Sequence, residues 1–257
     1  MQVSKTVAAW LDRRRALNEQ SIGLVPTMGA LHRGHASLVQ RCRRENEIVV
    51  VSIFVNPTQF NDPKDLQRYP RTLDQDLAML AELGADHVFM PDAAELYPNG
   101  YRFRVEEDGI TRLMEGIRRP GFFQGVMTVV LKLLNLVRPD RAYFGEKDYQ
   151  QLQVIAGMVD DFFIPAEIVP CSTVREESEL AESSRNNLLS PGARQKAAAI
   201  YHALTASVTA GEAKLLLQAE GFDVDYVEEH WGRRFVAASL EGVRLIDNVP
   251  LPEGRPS

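Results

Sequence analysis

The chain has 257 residues, of which 45% are hydrophobic and 25% are charged, a composition typical of a globular protein with a large buried core. Its formal net charge of -6 argues against nonspecific nucleic-acid binding, which needs a basic surface. No stretch approaches about 18 uninterrupted apolar residues, so no membrane span is expected. The first 20 residues predict a structural helix and not a secretory signal, and Cys42 and Cys171 predict reduced thiols and not a zinc site.

The first part of the chain alternates between strand and helix patterns. An apolar run at 22–26, helical spacing at 35–45 and a β-branched run at 47–55 predict a βαβ unit. The next predicted helix has Thr72 as its N-cap, Gln75 as capping-box partner and Gly84 as its stop. Further predicted elements are a strand at 86–91, a helix at 125–139, a strand at 141–145, a helix at 151–162 and a strand at 166–174. The pattern predicts a doubly wound parallel α/β domain over residues 1–175.

Residues 176–257 have a different pattern. Two helical stretches, 190–208 and 211–221, precede three stretches that alternate as antiparallel strands do, at 222–229, 233–240 and 242–249. We expect a smaller α+β domain here, joined to the first through residues 183–192.

Polar segments follow four of the predicted strands, where ligands bind in doubly wound sheets. The first segment contains Gly29, Gly34, a predicted helix start and the imidazoles of His32 and His35. Backbone N–H groups and the positive end of a helix dipole can bind a polyphosphate there. The second contains Gln59, suited to a polar uncharged group or a carboxylate, although a proline turn capped by Asn56 explains the same residues.

The third and fourth segments are weaker signals when each is taken alone. Residues 145–148 combine a lysine for a phosphate with two carboxylates for a divalent cation or a ribose, but charged loops are often simply solvated. Residues 183–185 can close over a triphosphate or form an ordinary helix cap. Neither cysteine has a neighbouring histidine in the sequence, so the pattern favours electrostatic and positioning catalysis of phosphoryl or nucleotidyl transfer over covalent catalysis.

Six collinear motifs resemble the pantoate–β-alanine ligase (pantothenate synthetase) family, within the nucleotidyltransferases that carry an H-x-G-H signature on a Rossmann-like fold. They are VPTMGALHRGH (25–35), VSIFVNPTQF (51–60), YPRTLDQDL (69–77), the stretch RPGFF to DYQQL (119–152), SSRNNLLS (183–190) and LIDNV (245–249). The resemblance implies a cytoplasmic, homodimeric ligase of pantothenate biosynthesis whose C-terminal domain, residues 176–257, acts as a lid. Pantoate and ATP would form pantoyl adenylate and pyrophosphate, and β-alanine would then displace AMP.

The resemblance also implies roles for individual residues. His35 would be the proton donor and His32 its phosphate-stabilising partner, with Lys147 and Arg185 also neutralising phosphate charge. Gln59 and Gln151 would hold pantoate, Gln59 would also meet β-alanine, and Asp76 would be associated with Mg²⁺. The implied ATP-binding residues are Met28, Gly29, Ala30, Leu31, His32, Arg33, Gly34, His35, Gly145, Glu146, Lys147, Asp148, Val174 (at adenine), Glu182, Ser183, Ser184 and Arg185.

The chain departs from the usual family pattern at a few positions. Phe122 stands where members usually have histidine, Ser178 and Glu179 replace an Asp-Gly pair, and Glu182 replaces a small apolar residue. The added negative charge predicts weaker ATP binding, and the lost glycine would strain a turn that requires positive φ. Two alternatives remain open: a weakened or non-catalytic nucleotide-binding homologue, and an adenylyltransferase with another acceptor.

Overall fold

The computed structural model describes residues 1–17 and 19–252, which divide into two compact units. Among the described residues, the first unit contains 1–17, 19–146 and 150–171, and the second contains 147–149 and 172–252. The predicted domain boundary at 175/176 and the lid role of residues 176–257 stay predictions. In the described residues, no helix is long and apolar enough to cross a membrane.

The first unit is built on a six-stranded parallel sheet in the order β1-β4-β3-β2-β5-β6. The strands are β1 Gln2–Ser4, β2 Ile22–Thr27, β3 Ile48–Ile53, β4 His87–Phe89, β5 Arg141–Gly145 and β6 Glu167–Cys171. The helices are α1 Val7–Arg15, α2 Arg33–Glu45, α3 Pro63–Arg68, α4 Leu73–Glu82, α5 Ala93–Leu96, α6 Met114–Arg118, α7 Phe122–Val137 and α8 Tyr149–Asp161. The predicted doubly wound α/β class is therefore confirmed.

Burial explains why the sequence predicts this sheet well. Every residue of β3 is buried, as expected for a strand covered on both faces. Helix α4 ends as predicted, because Gly84 adopts φ +75° and lets the Ala85 N–H reach the carbonyl of Leu80.

Several local predictions need correction. A short edge strand, β1, precedes the first helix, and β6 ends at Cys171 and not at residue 174. The predicted capping box at α4 is wrong. The Thr72 side chain makes no cap hydrogen bond, and its hydroxyl instead donates to Asp76 Oδ1 at 3.1 Å, because a buried carboxylate one turn away offers a stronger acceptor.

The second unit packs helices α9 Pro191–Ala197, α10 Ala199–Ala206 and α11 Ala210–Ala219 with an antiparallel sheet of β7 Asp223–His230, β8 Arg233–Leu240 and β9 Val243–Pro250. The helical stretch predicted at 190–208 is two helices that meet at Ala198. Arg234, 1% exposed, donates to the carbonyls of Leu204, Ser207 and Val208 at 2.8–2.9 Å and so satisfies the end of α10. The expected smaller α+β region is present.

Candidate active site

Strand order places the candidate site of the first unit at the carboxyl ends of β2 and β5. The chain runs from β2 to β3 and β4 on one side and then crosses to β5 and β6 on the other, so the order reverses between β2 and β5. Ligands of doubly wound sheets bind at this reversal. The chain after β2, residues 28–35, is the segment predicted to bind a polyphosphate, and we call it the phosphate loop. The chain after β5 begins at Glu146, within the polar segment predicted at residues 145–148.

The loop after β2 has an unusual backbone that a buried carboxylate holds in place. Gly29 and Ala30 have φ of +79° and +51°, a conformation that strains a residue with a Cβ. Asp76 is 3% exposed, and its Oδ2 and Oδ1 accept from the N–H groups of Ala30 (2.9 Å) and Leu31 (2.8 Å). A Cβ at position 29 would lie 3.1 Å from Asp76 Oδ2 and 3.2 Å from the Ile53 side chain. Position 29 therefore favours glycine.

His32 and His35 form one hydrogen-bonded unit at the start of α2. The Gly34 N–H donates to His32 Nδ1 at 3.2 Å, the His32 N–H donates to His35 Nδ1 at 3.4 Å, and the ring centroids lie 4.2 Å apart. An Nδ1 atom that accepts these bonds carries no proton, so a neutral ring has its proton on Nε2. Both imidazoles are thus oriented as Nε2 donors beside the positive end of a helix, an arrangement that suits an anion.

The surroundings of Asp76 do not fit a magnesium ligand. Its two oxygens already accept two backbone N–H groups and the Thr72 hydroxyl, whereas Mg²⁺ needs unobstructed oxygen ligands in octahedral geometry. Among residues 1–17 and 19–252, no group of three or more His, Cys, Asp or Glu side chains could hold a metal ion. The geometry instead makes Asp76 a positioning residue for the loop, and its predicted association with Mg²⁺ stays a prediction.

Gln59 lies in a tight 3-10 turn, Pro57–Gln59, after β3. Asn56, 1% exposed, accepts from Thr58 and donates to the Gly125 carbonyl at 3.2 Å, so the capped proline turn weighed as the alternative is present. It is compatible with binding, since no described residue hydrogen-bonds to the half-buried Gln59 amide. The turn therefore leaves the Gln59 amide without a hydrogen bond to any described residue.

Arg119, which lies between α6 and α7, anchors the Gln59 turn. Its guanidinium donates to the Gln59 carbonyl at 3.0 Å and lies 3.6 Å from the centroid of the Phe122 ring. Phe122, the residue that departs from the family pattern, therefore supports Arg119 through a cation–π contact. Arg119 is not among the residues predicted from the sequence, although its place in the RPGFF motif beside Phe122 was an available signal.

Two adjacent glutamines on α8 have different environments. Gln150 is 4% exposed, accepts from the Glu115 N–H at 3.1 Å and donates to the carbonyls of Ile110 and Leu113 at 2.9 and 2.8 Å. Gln151 is half-buried, and its amide bonds to none of the described residues. Gln150 is structural, and Gln151 is the one of the pair suited to a ligand.

In the second unit, the structure brings Val174 and Glu182 together. The Glu182 N–H donates to the Val174 carbonyl at 2.9 Å, and Arg175 pairs with Ala181 as an antiparallel bridge. We call residues 174–182 the glutamate loop. The next residue, Ser183, accepts from the Arg185 N–H at 3.2 Å and caps the 3-10 turn Ser184–Leu188. The ordinary helix cap given above as the alternative is therefore present, and it is formed by Ser183 and Arg185, which are also predicted to contact the triphosphate.

The acidic side chains of the glutamate loop differ in exposure. Glu177 and Glu179 are exposed, whereas Glu182 is half-buried. Glu179 has φ +70°, so the turn does use the conformation that the missing glycine would have adopted more easily. Lys147, also in this unit, forms no ion pair with any described residue, so its ammonium is available for a phosphate.

Both cysteines are buried, and neither thiol is suited to act as a nucleophile. Burial raises the pKa of Cys42 to about 12 and also raises that of Cys171, so both thiols stay protonated near neutral pH.

Comparison with known proteins agrees with this geometry. The Pantoate-beta-alanine ligase family profile matches residues 1–250. A pantothenate synthetase of Bdellovibrio bacteriovorus is 57% identical, covering 90% of this chain and 92% of that protein, and one of Legionella pneumophila is 49% identical, covering 98% and 100%.

Two solved structures are similar over nearly the whole chain. Pantothenate synthetase from Thermus thermophilus has a TM-score of 0.91 at 46% identity, covering 98% of this chain and 100% of that one. Pantoate-beta-alanine ligase from Francisella tularensis, complexed with beta-gamma ATP and beta-alanine, has a TM-score of 0.93 at 42% identity, covering 97% of each chain. These matches support the ligase reaction and do not favour the non-catalytic alternative. The chain belongs to the pantoate-beta-alanine ligase family.

Proposed function

We propose that the residues at the carboxyl ends of β2, β3 and β5, with those of the glutamate loop and the following turn, carry out the two-step ligase reaction. In the first step, a pantoate carboxylate oxygen attacks the α-phosphorus of ATP, and the bond to the β-phosphate breaks to release pyrophosphate. In the second, the β-alanine amine attacks the acyl carbon of pantoyl adenylate, forms the amide bond and releases AMP. No protein nucleophile is needed, because the adenylate is itself the activated intermediate.

The observation that carries the proposal is the pair His32 and His35 at the reversal of strand order. Their Nδ1 atoms accept backbone hydrogen bonds, so a neutral ring carries its proton on Nε2, which suits phosphate oxygens that gain charge in the transition state. Residues 28–35 are proposed to bind the ATP phosphates at the positive N-terminal end of α2. His35 is the proposed proton donor to the departing pyrophosphate, and His32 stabilises the phosphate beside it.

The remaining roles follow the matched motif positions. Lys147 and Arg185 are proposed to neutralise the triphosphate, with Gly145, Glu146, Asp148 and residues 182–184 in further ATP contacts. Val174 is proposed to contact adenine. Gln59 and Gln151 are proposed to hold pantoate, and Gln59 also β-alanine, because amides donate to a carboxylate and accept from hydroxyl or ammonium groups.

Magnesium is proposed to arrive as part of the substrate, MgATP. Mg²⁺ commonly remains bound to substrate phosphates and waters, and the hydrogen bonds of Asp76 leave it poorly suited to bind the ion directly. When bound to ATP, the ion would neutralise phosphate charge. A homodimer and a cytoplasmic location are further proposals from the family resemblance, and light scattering of the purified protein measures the first.

The function is tested by incubating the protein with MgATP and either pantoate, β-alanine or both, and by measuring the AMP and pyrophosphate released. We expect pyrophosphate with pantoate alone at no more than one equivalent per site, and continuous AMP release only with both. Absence of products under every condition would contradict the proposed function. Continuous turnover with pantoate and a different amine, but not with β-alanine, would identify another acceptor.

A further inference from the structure

The LIDNV motif on β9 has no role in the ligase reaction described above, yet it contains two buried polar residues. Asp247 is 4% exposed and Asn248 is 2% exposed. Buried polar side chains need hydrogen-bond partners, and each of these two has a partner in a segment that contains predicted ATP-binding residues.

The Asn248 amide connects β8 to the turn that carries Lys147. Its Nδ2 donates to the Lys147 carbonyl at 2.9 Å, and its Oδ1 accepts from Arg233 Nε at 2.5 Å. The guanidinium of Arg233 also lies 4.6 Å from the centroid of the Tyr149 ring, two residues beyond Lys147. The Lys147 backbone is therefore held both directly and through its neighbour.

The Asn248 contacts require an amide. Arg233 can only donate, so it fixes the oxygen of Asn248 on its side, and the NH₂ group must then face the Lys147 carbonyl. A carboxylate at position 248 would still accept from Arg233 but would place an oxygen against that carbonyl. Asn248 therefore satisfies a donor and an acceptor at once, and aspartate cannot replace it without losing the bond to Lys147.

Asp247 holds the glutamate loop in the same way. Its carboxylate accepts two hydrogen bonds from Arg175, at 2.6 and 3.0 Å, and a third from the Asn248 N–H at 2.8 Å. Arg175 in turn donates to the Glu179 carbonyl at 3.0 Å and stacks over the Tyr201 ring at 4.1 Å. The adjacent pair thus joins the Lys147 turn to the glutamate loop, entirely within the second unit.

We infer that Asp247 and Asn248 are positioning residues for ATP, and that Asn248 sets the backbone position from which the Lys147 ammonium reaches the phosphates. Lysine carries its charge on a flexible four-carbon stem, so its reach depends on where its backbone is fixed. This inference rests on the proposed ATP role of Lys147. Neither residue contacts ATP in this account, and each acts through a neighbour.

The test compares Asn248→Asp with Val249→Ala. Val249, 5% exposed, belongs to the apolar core of the same unit, so its truncation destabilises the same strand without removing a bond to Lys147. We expect Asn248→Asp to raise the KM for MgATP about three- to tenfold, as expected for loss of one buried hydrogen bond, with the KM for pantoate within about twofold of wild type. Val249→Ala should lower thermal stability but leave both KM values unchanged.

Hydrogen exchange of the ligand-free proteins supplies a second readout that does not depend on turnover. Amides in residues 145–151 should exchange faster in Asn248→Asp, relative to those in residues 233–240, and this difference should be absent in Val249→Ala. Equal KM values for MgATP in Asn248→Asp and wild type, or the same rise in both variants, would overturn the inference. If the wild-type protein releases no AMP, the proposed function fails, and unchanged exchange at 145–151 would separately overturn the positioning role.

Discussion

Replacement of Asp76 by asparagine tests whether this carboxylate holds the phosphate loop. In the wild type, the Asp76 carboxylate accepts hydrogen bonds from the N–H groups of Ala30 and Leu31, at 2.9 and 2.8 Å, and from the Thr72 hydroxyl, at 3.1 Å. An asparagine keeps one acceptor oxygen and turns an NH₂ group toward a backbone N–H that also donates. A hydrogen bond to a charged group contributes about 1.5–3 kcal/mol, so we expect Asp76→Asn to lower the free energy of unfolding by about 2–4 kcal/mol.

The matched control is Asp74→Asn, on the same first turn of α4. Asp74 is exposed, so its replacement removes the same charge near the helix N-terminus at a cost of at most about 1 kcal/mol. Urea unfolding of the ligand-free proteins, followed by circular dichroism, gives the two free energies. Equal stability of the two variants would refute the loop-positioning argument.

A magnesium titration separates the two roles considered for Asp76. If Asp76 positions the loop, the variant should have a raised KM for MgATP and an unchanged dependence on free Mg²⁺ at saturating ATP. A direct ligand would instead give a variant that needs more Mg²⁺ and retains its stability without ligand. A greater need for Mg²⁺ with unchanged stability would support the predicted association of Asp76 with Mg²⁺.

Four further predictions follow from the same geometry. His35→Ala should lower pantoate-dependent pyrophosphate release by about 100-fold or more and the unfolding free energy by at most about 1 kcal/mol; an unchanged release rate would show that His35 is not the proton donor. Glu179→Gly should raise the unfolding free energy by about 0.5–1 kcal/mol, because relief of the left-handed strain exceeds the entropy cost of glycine, and a loss of stability in thermal unfolding would contradict this. Glu182→Met should bind MgATP more tightly in calorimetric titration, whereas equal affinities would remove the charge argument. Cys42 should resist alkylation at pH 8 in the folded protein and react in urea, since burial raises its pKa to about 12 and keeps the thiol protonated; rapid labelling of the folded protein would refute its burial.

The fold class and most of the helices and strands could be predicted from the amino-acid sequence alone. Continuous apolar runs such as 48–53 identify strands buried on both faces, and the glycine at 84 marks a helix end through its free choice of φ. These patterns are local, so they can be interpreted without knowledge of the rest of the chain. The order of polar segments after the strands likewise located the candidate site, because parallel strands place their carboxyl ends along one edge.

Which residues hold others in position became evident only from contacts between distant parts of the chain. Thr72 has the sequence of an N-cap, but it donates to Asp76 because that carboxylate is buried beside it. The contacts of Asp76 with Ala30 and Asn248 with Lys147 join residues 46 and 101 positions apart, and no local pattern encodes such a pairing. The sequence therefore determined which residues have the chemistry to bind a phosphate, whereas burial and long-range hydrogen bonding determined which residues hold them in place.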